Sequence, residues 1–120
     1  MKKLSVLIIV AFVLTVLSVN VVFAEDTMIN IGILQLVEHA ALDASYQGFV
    51  DALKEEGFED GVNISIDYQN AQADQSNLMT ISERFVKNKV DLILAIATPA
   101  AQAVASATTE IPILFTAVTD

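Results

Sequence analysis

Val90 to Ala105 reads VDLILAIATPAAQAVA, and these sixteen residues decide the fold. Val90–Ala97 is apolar except for Asp91. The run is short enough for a strand and apolar on both faces, as in the middle of a parallel sheet. Thr98 and Pro99 follow at once. Threonine is a good N-cap and proline a good first helical residue, so a helix is expected to open directly from the strand end, with Thr98 as its cap. Alanine dominates Ala100–Ala107, which lets that helix lie close to a sheet.

The same alternation runs outward in both directions. Met28–Val37 (MINIGILQLV) reads as a second strand buried on both faces. Leu42, Tyr46, Phe49, Val50 and Leu53 form one stripe along a helix, with Asp43, Gln47, Asp51, Lys54 and Glu55 on its other faces. Asp43, Asp51 and Glu55 read as solvated charges. Gly57 stands where a left-handed C-cap is wanted, and Phe58 supplies the hydrophobic contact of that cap. Val62, Ile64, Ile66 and Tyr68 alternate with polar residues, the mark of a half-exposed edge strand. Leu78, Ile81 and Phe85, with Met79 and Val86 beside them, make a further amphipathic helix, for which Ser76 is the expected N-cap. Ile113–Phe115 gives a fourth strand. Strands alternating with helices imply an α/β protein with a doubly wound parallel sheet. The alternating strand belongs outside, so the expected order is 2-1-3-4. After the fourth strand a helix is due. The sheet is therefore expected to be incomplete, residues 25–120 being the first part of a larger unit.

The chain has 120 residues, six basic and fifteen acidic, and 54% are apolar. Residues 1–24 hold much of that apolar content. Lys2 and Lys3 precede the aliphatic run Leu4–Val19, and Val22-Phe23-Ala24 precedes Glu25, the layout of a cleaved secretory signal. A retained membrane anchor is the competing reading, since about 20 apolar residues can span a bilayer. Asn20, Ala24 and the acidic Glu25-Asp26 favour cleavage. No cysteine exists to carry a lipid, so a periplasmic location is expected. The remaining residues carry four bases against fifteen acids, a net charge of -11. Such a surface repels phosphates and excludes a nucleic-acid partner. The lack of cysteine also excludes disulfides, thiolate metal sites and a cysteine nucleophile.

Ligands of open parallel sheets bind at the strands' C-terminal ends, beside the reversal of strand order. Three segments meet there. Thr98, Pro99 and Ala100 open a helix whose free N–H groups and dipole suit a carboxylate or phosphate; the competing reading has Thr98 as a cap alone. Thr116–Asp120 offers hydroxyls, a carboxylate and free backbone groups, or is an ordinary polar strand exit. Gln35–His39 holds the chain's single histidine, more often a capping or surface residue than a catalyst. No glycine-rich phosphate loop, nucleophile elbow or spaced metal-ligand set occurs, so neither a metal nor another cofactor is expected.

Four blocks together resemble a known family: GILQLVEHAALD, GFVDALKEEGF with the following DGVNISIDYQNAQAD, VDLILAIATPAAQAVA and IPILFTAVTD. In order and spacing they are similar to the N-terminal part of ABC-transporter substrate-binding proteins of the tryptophan/tyrosine-binding type. The resemblance covers residues 28–120. It implies a Rossmann-like N-terminal lobe of the type I periplasmic-binding-protein fold. It also implies no enzymatic activity, an aromatic amino acid as ligand, and an inner-membrane ABC permease as partner. By the same resemblance, Thr98 with the Pro99-Ala100 turn, and Ala117 with Thr119, hold the ligand carboxylate. Gln35, Glu38 and His39 lie on the cleft wall. The resemblance implies that the family's second lobe, which supplies the partner of the ligand's amino group, and its hinge are not among these 120 residues. Two rival readings remain: a truncated product without transport activity, and an exported enzyme using His39 as base.

Overall fold

Seven elements alternate along the chain: β1 (Ile29–Gln35), α1 (Ala40–Glu55), β2 (Ile64–Asn70), α2 (Gln75–Lys87), β3 (Leu92–Ile96), α3 (Thr98–Ala107) and β4 (Ile113–Thr116). This computed structural model describes residues 27–119. The expected leader, residues 1–24, lies outside them, as does Asp120.

The four strands are parallel and ordered β2-β1-β3-β4. That is the doubly wound order the apolar pattern predicts, with the alternating strand β2 at one edge. Ile31 and Ile33 of β1 join Ile64, Leu94 and Ile96 on the face covered by Leu42, Tyr46, Phe49 and Leu53 of α1. Leu34, Ile93 and Ala95 point to the other face, where Leu78 and Phe85 of α2 and Ala100 and Val104 of α3 bury them. Val50, expected in the α1 stripe, lines a separate shallow hollow with Phe58 and Ile64.

Helix ends follow local chemistry. Gly57 adopts φ +91°, donates to Lys54 O at 3.1 Å, and Phe58 N donates to Leu53 O at 2.8 Å. This pair of bonds is the Schellman motif that the Gly57-Phe58 sequence predicts. The start of α2 differs from expectation: Asp74, not Ser76, is its N-cap, and its carboxylate accepts from Asn77 N at 2.9 Å. The cause is the preceding turn. Gln72 and Ala73 take positive φ, and Ala73 N donates to Leu36 O at 2.8 Å, which delivers Asp74 in an extended conformation. Met79 also differs, standing 53% exposed in the open groove between α2 and α3.

The β4 edge is uncovered. Leu114 and Phe115 are exposed, and an open apolar hollow of about 380 Å³ lies between β4 and α3, lined in part by Ala101, Ala105, Ile113 and Phe115.

Gly32 sets how closely α2 approaches the sheet. A Cβ there would stand 2.8 Å from Cγ and Cδ2 of the Phe85 ring, which is fully buried. Gly32→Ala is therefore expected to destabilise the chain by about 2 kcal/mol, read as a lower urea midpoint. Adding Phe85→Leu makes room, so the double variant should lose less than the two single losses added together.

Candidate functional site

The C-terminal ends of β1, β3 and β4 share one end of the sheet, Gln35 pairing with Ile96 and Ile96 with Thr116. Here α1 leaves β1 toward one face and α3 leaves β3 toward the other, so a crevice opens between the two helix starts.

At β3, Ala97 occupies φ 86°, ψ 156°, a region that side chains rarely enter. The strain is held by bonds on both sides: Ala97 N donates to Thr116 O at 3.0 Å, and Ala97 O accepts from Ala101 N at 3.1 Å. Ala97 is thus the N-cap of α3, and Thr98 is its first helical residue. This corrects the expectation that Thr98 caps the helix. Its hydroxyl turns sideways, accepting from Thr119 N at 3.0 Å and donating to Thr119 O at 3.2 Å. No side chain caps α3 and Pro99 has no N–H, so the N–H groups of Thr98 and Ala100 are left without a capping partner. Ala117, at φ 54°, turns the exit of β4 so that Thr119 meets Thr98. The structure therefore brings Thr98, Pro99, Ala100, Ala117 and Thr119 together.

At β1, Gln35 is fully buried. Its Nε2 donates to Val37 O at 2.9 Å and to Asp43 Oδ1 at 2.7 Å. Asp43, in the first turn of α1, is exposed as expected and is also tied to the strand end, a bond its reading as a solvated charge did not include. His39 is the N-cap of α1, its Nδ1 accepting from Ala41 N at 3.2 Å. That is the capping role favoured for a lone histidine. Glu38 and His39 are both exposed. Tyr46 of α1 and Tyr68 of β2 bring their rings within 4.3 Å. Burial pushes the Tyr68 phenol above its ordinary pKa, and the charges of Asp43, Tyr46 and Glu38 push it further.

Basic groups lie elsewhere. Lys54 is in the last turn of α1, and Arg84 and Lys87 are in the last turn of α2, at the opposite end of the sheet. Arg84 pairs with Asp67 at 2.7 Å. Among the described residues, the crevice end therefore offers an anion helix N–H groups and hydroxyls rather than basic side chains. Among the described residues no group of three or more His, Asp or Glu side chains could hold a metal ion.

Residues 30–120 match the family model of the ABC transporter substrate binding protein. The chain is 56% identical over 91 residues to a tyrosine-binding protein of Clostridioides difficile, covering 76% of this chain and 26% of that one. Among solved structures, it is similar to a ligand-free, open substrate-binding protein with adhesive properties from Clostridium difficile. The identity is 57% and the TM-score 0.76, over 78% of this chain and 32% of that one. A second is an ABC domain from Streptococcus pneumoniae in complex with L-Trp, at 46% identity and TM-score 0.74, over 78% and 32%. A branched-chain amino acid transporter substrate-binding protein from Streptococcus pneumoniae shares the fold, at 19% identity and TM-score 0.60, over 78% of this chain and 30% of that one. The chain thus spans about a quarter to a third of the length of these relatives.

Two measurements check this geometry. Ala97→Gly relieves strain of about 1–3 kcal/mol against a glycine entropy cost of about 0.5–1 kcal/mol, so a net stabilisation near 1 kcal/mol is expected in urea unfolding. A spectrophotometric titration should find the Tyr68 phenol above its ordinary value, and Asp43→Asn should lower it. Since the raised value favours the neutral phenol in the fold, its contribution to stability is present below about pH 10 and is lost as pH rises through the folded value.

Proposed function

Because the chain belongs to the ABC transporter substrate-binding protein family, we propose that it forms the first lobe of an exported solute-binding protein for an amino acid, aromatic by preference. The ligand lies in a cleft closed by a second lobe and is handed to an ABC permease in the membrane. The lobe performs no chemistry. Members of the family are substrate-binding proteins, and His39 is engaged as a cap rather than oriented as a base.

The observation that carries this reading is the uncapped start of α3 at the reversal of strand order. A ligand carboxylate there accepts from the N–H groups of Thr98 and Ala100 and sits at the positive end of a ten-residue helix. The Thr98 hydroxyl and the backbone of Ala117 and Thr119 complete the carboxylate site, while Gln35, Glu38 and His39 form the opposite wall. The tyrosine-binding relative and the L-Trp complex support an aromatic side chain. A leader over residues 1–24 delivers the protein to the periplasm. Among the described residues no helix is long and apolar enough to cross a membrane.

The test is calorimetric titration of the full-length gene product with L-tyrosine, L-tryptophan and L-isoleucine. Binding of an aromatic amino acid is expected, with L-isoleucine weaker. Thr98→Val, which keeps the shape and removes the hydroxyl, should weaken binding about fivefold, the net worth of exchanging a neutral hydrogen bond for a charge-assisted one. Unchanged affinity would remove Thr98 from the site, and absence of any amino-acid binding would sink the reading.

A further inference from the structure

Charge is unevenly shared between the two sides of the sheet. Residues 27–74, which supply α1, β2 and their connections, hold nine acids and one base, Lys54. Residues 75–107, which supply α2, β3 and α3, hold two acids and three bases. Within them α3 has no charged residue at all. Two copies of this chain therefore repel each other where α1 and β2 are presented, and the repulsion is least where α2 and α3 are.

The same side holds a groove of about 280 Å³ between α2 and α3. Met79, Ser82 and Glu83 line one wall, and Gln102, Ala103 and Ser106 line the other. These positions recur at three- and four-residue spacing, so each helix turns a continuous stripe to the groove. Leu78 and Phe85 of α2, with Ala100 and Val104 of α3, face the sheet instead. The serine hydroxyls are satisfied within their own helices: Ser82 donates to Leu78 O at 2.7 Å and Ser106 to Gln102 O at 2.9 Å. Met79 meanwhile leaves half of its surface exposed there. Gln102, Ala105 and Ser106 are exposed on α3, and none is charged. A helix with such small, uncharged side chains can approach another helix pair closely enough to enter a groove of this kind.

We propose that two copies of this chain associate through the α2–α3 face about a two-fold axis, α3 of each copy seated in the groove of the other. One face supplies both the groove and the helix that fills it, which is what an isologous contact requires. The contact is independent of the amino-acid reading above, since it needs no ligand. Its size sets its strength. Helices of 13 and 10 residues present a face of about 20 Å by 20 Å, roughly 400 Å² per copy. That lies below the area of about 800 Å² per partner typical of stable complexes, so the dimer is weak and exchanges rapidly.

The experiment is sedimentation equilibrium of the full-length gene product from about 5 to 500 μM, where a monomer–dimer equilibrium with Kd about 100 μM is expected. Met79→Glu and Ser106→Glu each place a charge in the contact and should weaken it tenfold or more, leaving a monomer over the same range. Met79→Leu keeps the apolar wall and should hold Kd within about twofold. Positions 79 and 106 are exposed, so the thermal midpoints should stay unchanged in all three variants. A monomer at every concentration overturns the proposal. A dimer that neither glutamate variant weakens overturns it as well, because the contact then lies on another face. A monomer whose thermal midpoint falls with Met79→Glu means that another segment of the same chain covers the groove, and this too overturns it.

Discussion

β1 pairs with β2 on one side and with β3 on the other, and the chain reaches those two strands by crossovers running in opposite directions. Right-handed crossovers then force α1 onto one face of the sheet and α2 and α3 onto the other. The crevice at the strands' C-terminal ends is the geometric consequence. Neither helix can cross it without breaking the hand of its connection. Everything that faces the crevice is therefore backbone, loop or the first turn of a helix: the Gln35–His39 turn with the start of α1, the Ala97-Thr98 turn and the exit of β4. Gly32 belongs to the same constraint, because the buried middle of β1 can admit the Phe85 ring only where no Cβ stands.

The distribution of charge follows from the same layout. In a parallel sheet with helical crossovers, helix C-termini gather at the N-terminal ends of the strands. Lysine and arginine are favoured there by the helix dipole, and Lys54, Arg84 and Lys87 obey that rule. With only four bases after residue 24, the rule leaves no cation at the other end among the described residues. The crevice end is thus governed by positive N–H groups at α3 and negative carboxylates near α1. Surface ion pairs such as Arg84–Asp67 contribute little beside this, since water screens both partners.

The strand order was legible because burial dictates it. Apolar runs at β1 and β3 and alternation at β2 leave few other arrangements, and Gly57-Phe58 announces its own cap. The turns at the C-terminal ends of the strands were legible in place but not in detail. Thr98 reads as a cap because Thr-Pro usually is one. Nothing in the letter Ala97 signals a backbone at φ 86°, ψ 156°, which bonds to Thr116 across the sheet impose. Asp43 reads as a solvated helix charge because its partner, Gln35, is eight residues away on a buried strand. The α2 cap is hidden for a related reason. Asn70–Asn77 holds several residues able to cap, and the choice falls to the Gln72-Ala73 turn, which no glycine announces. In each case the deciding contact is tertiary and the local sequence is permissive.

The Thr98 hydroxyl illustrates how such tertiary contacts limit what a polar group can offer a ligand. It has one proton, and that proton is directed at Thr119 O while its oxygen accepts from Thr119 N. A carboxylate that took the proton would release Thr119 O, exchanging a neutral hydrogen bond for a charge-assisted one. The net gain is about 1 kcal/mol, the difference between the two kinds of bond. The N–H groups of Thr98 and Ala100 face no such exchange, because α3 begins without a side-chain cap. For a carboxylate at this turn, the greater part of the attraction therefore comes from the backbone and its dipole, with the hydroxyl adding direction. Ala97 carries no side-chain acceptor, which is what leaves that backbone open. A conventional cap at this position would relax the turn and occupy the same N–H groups.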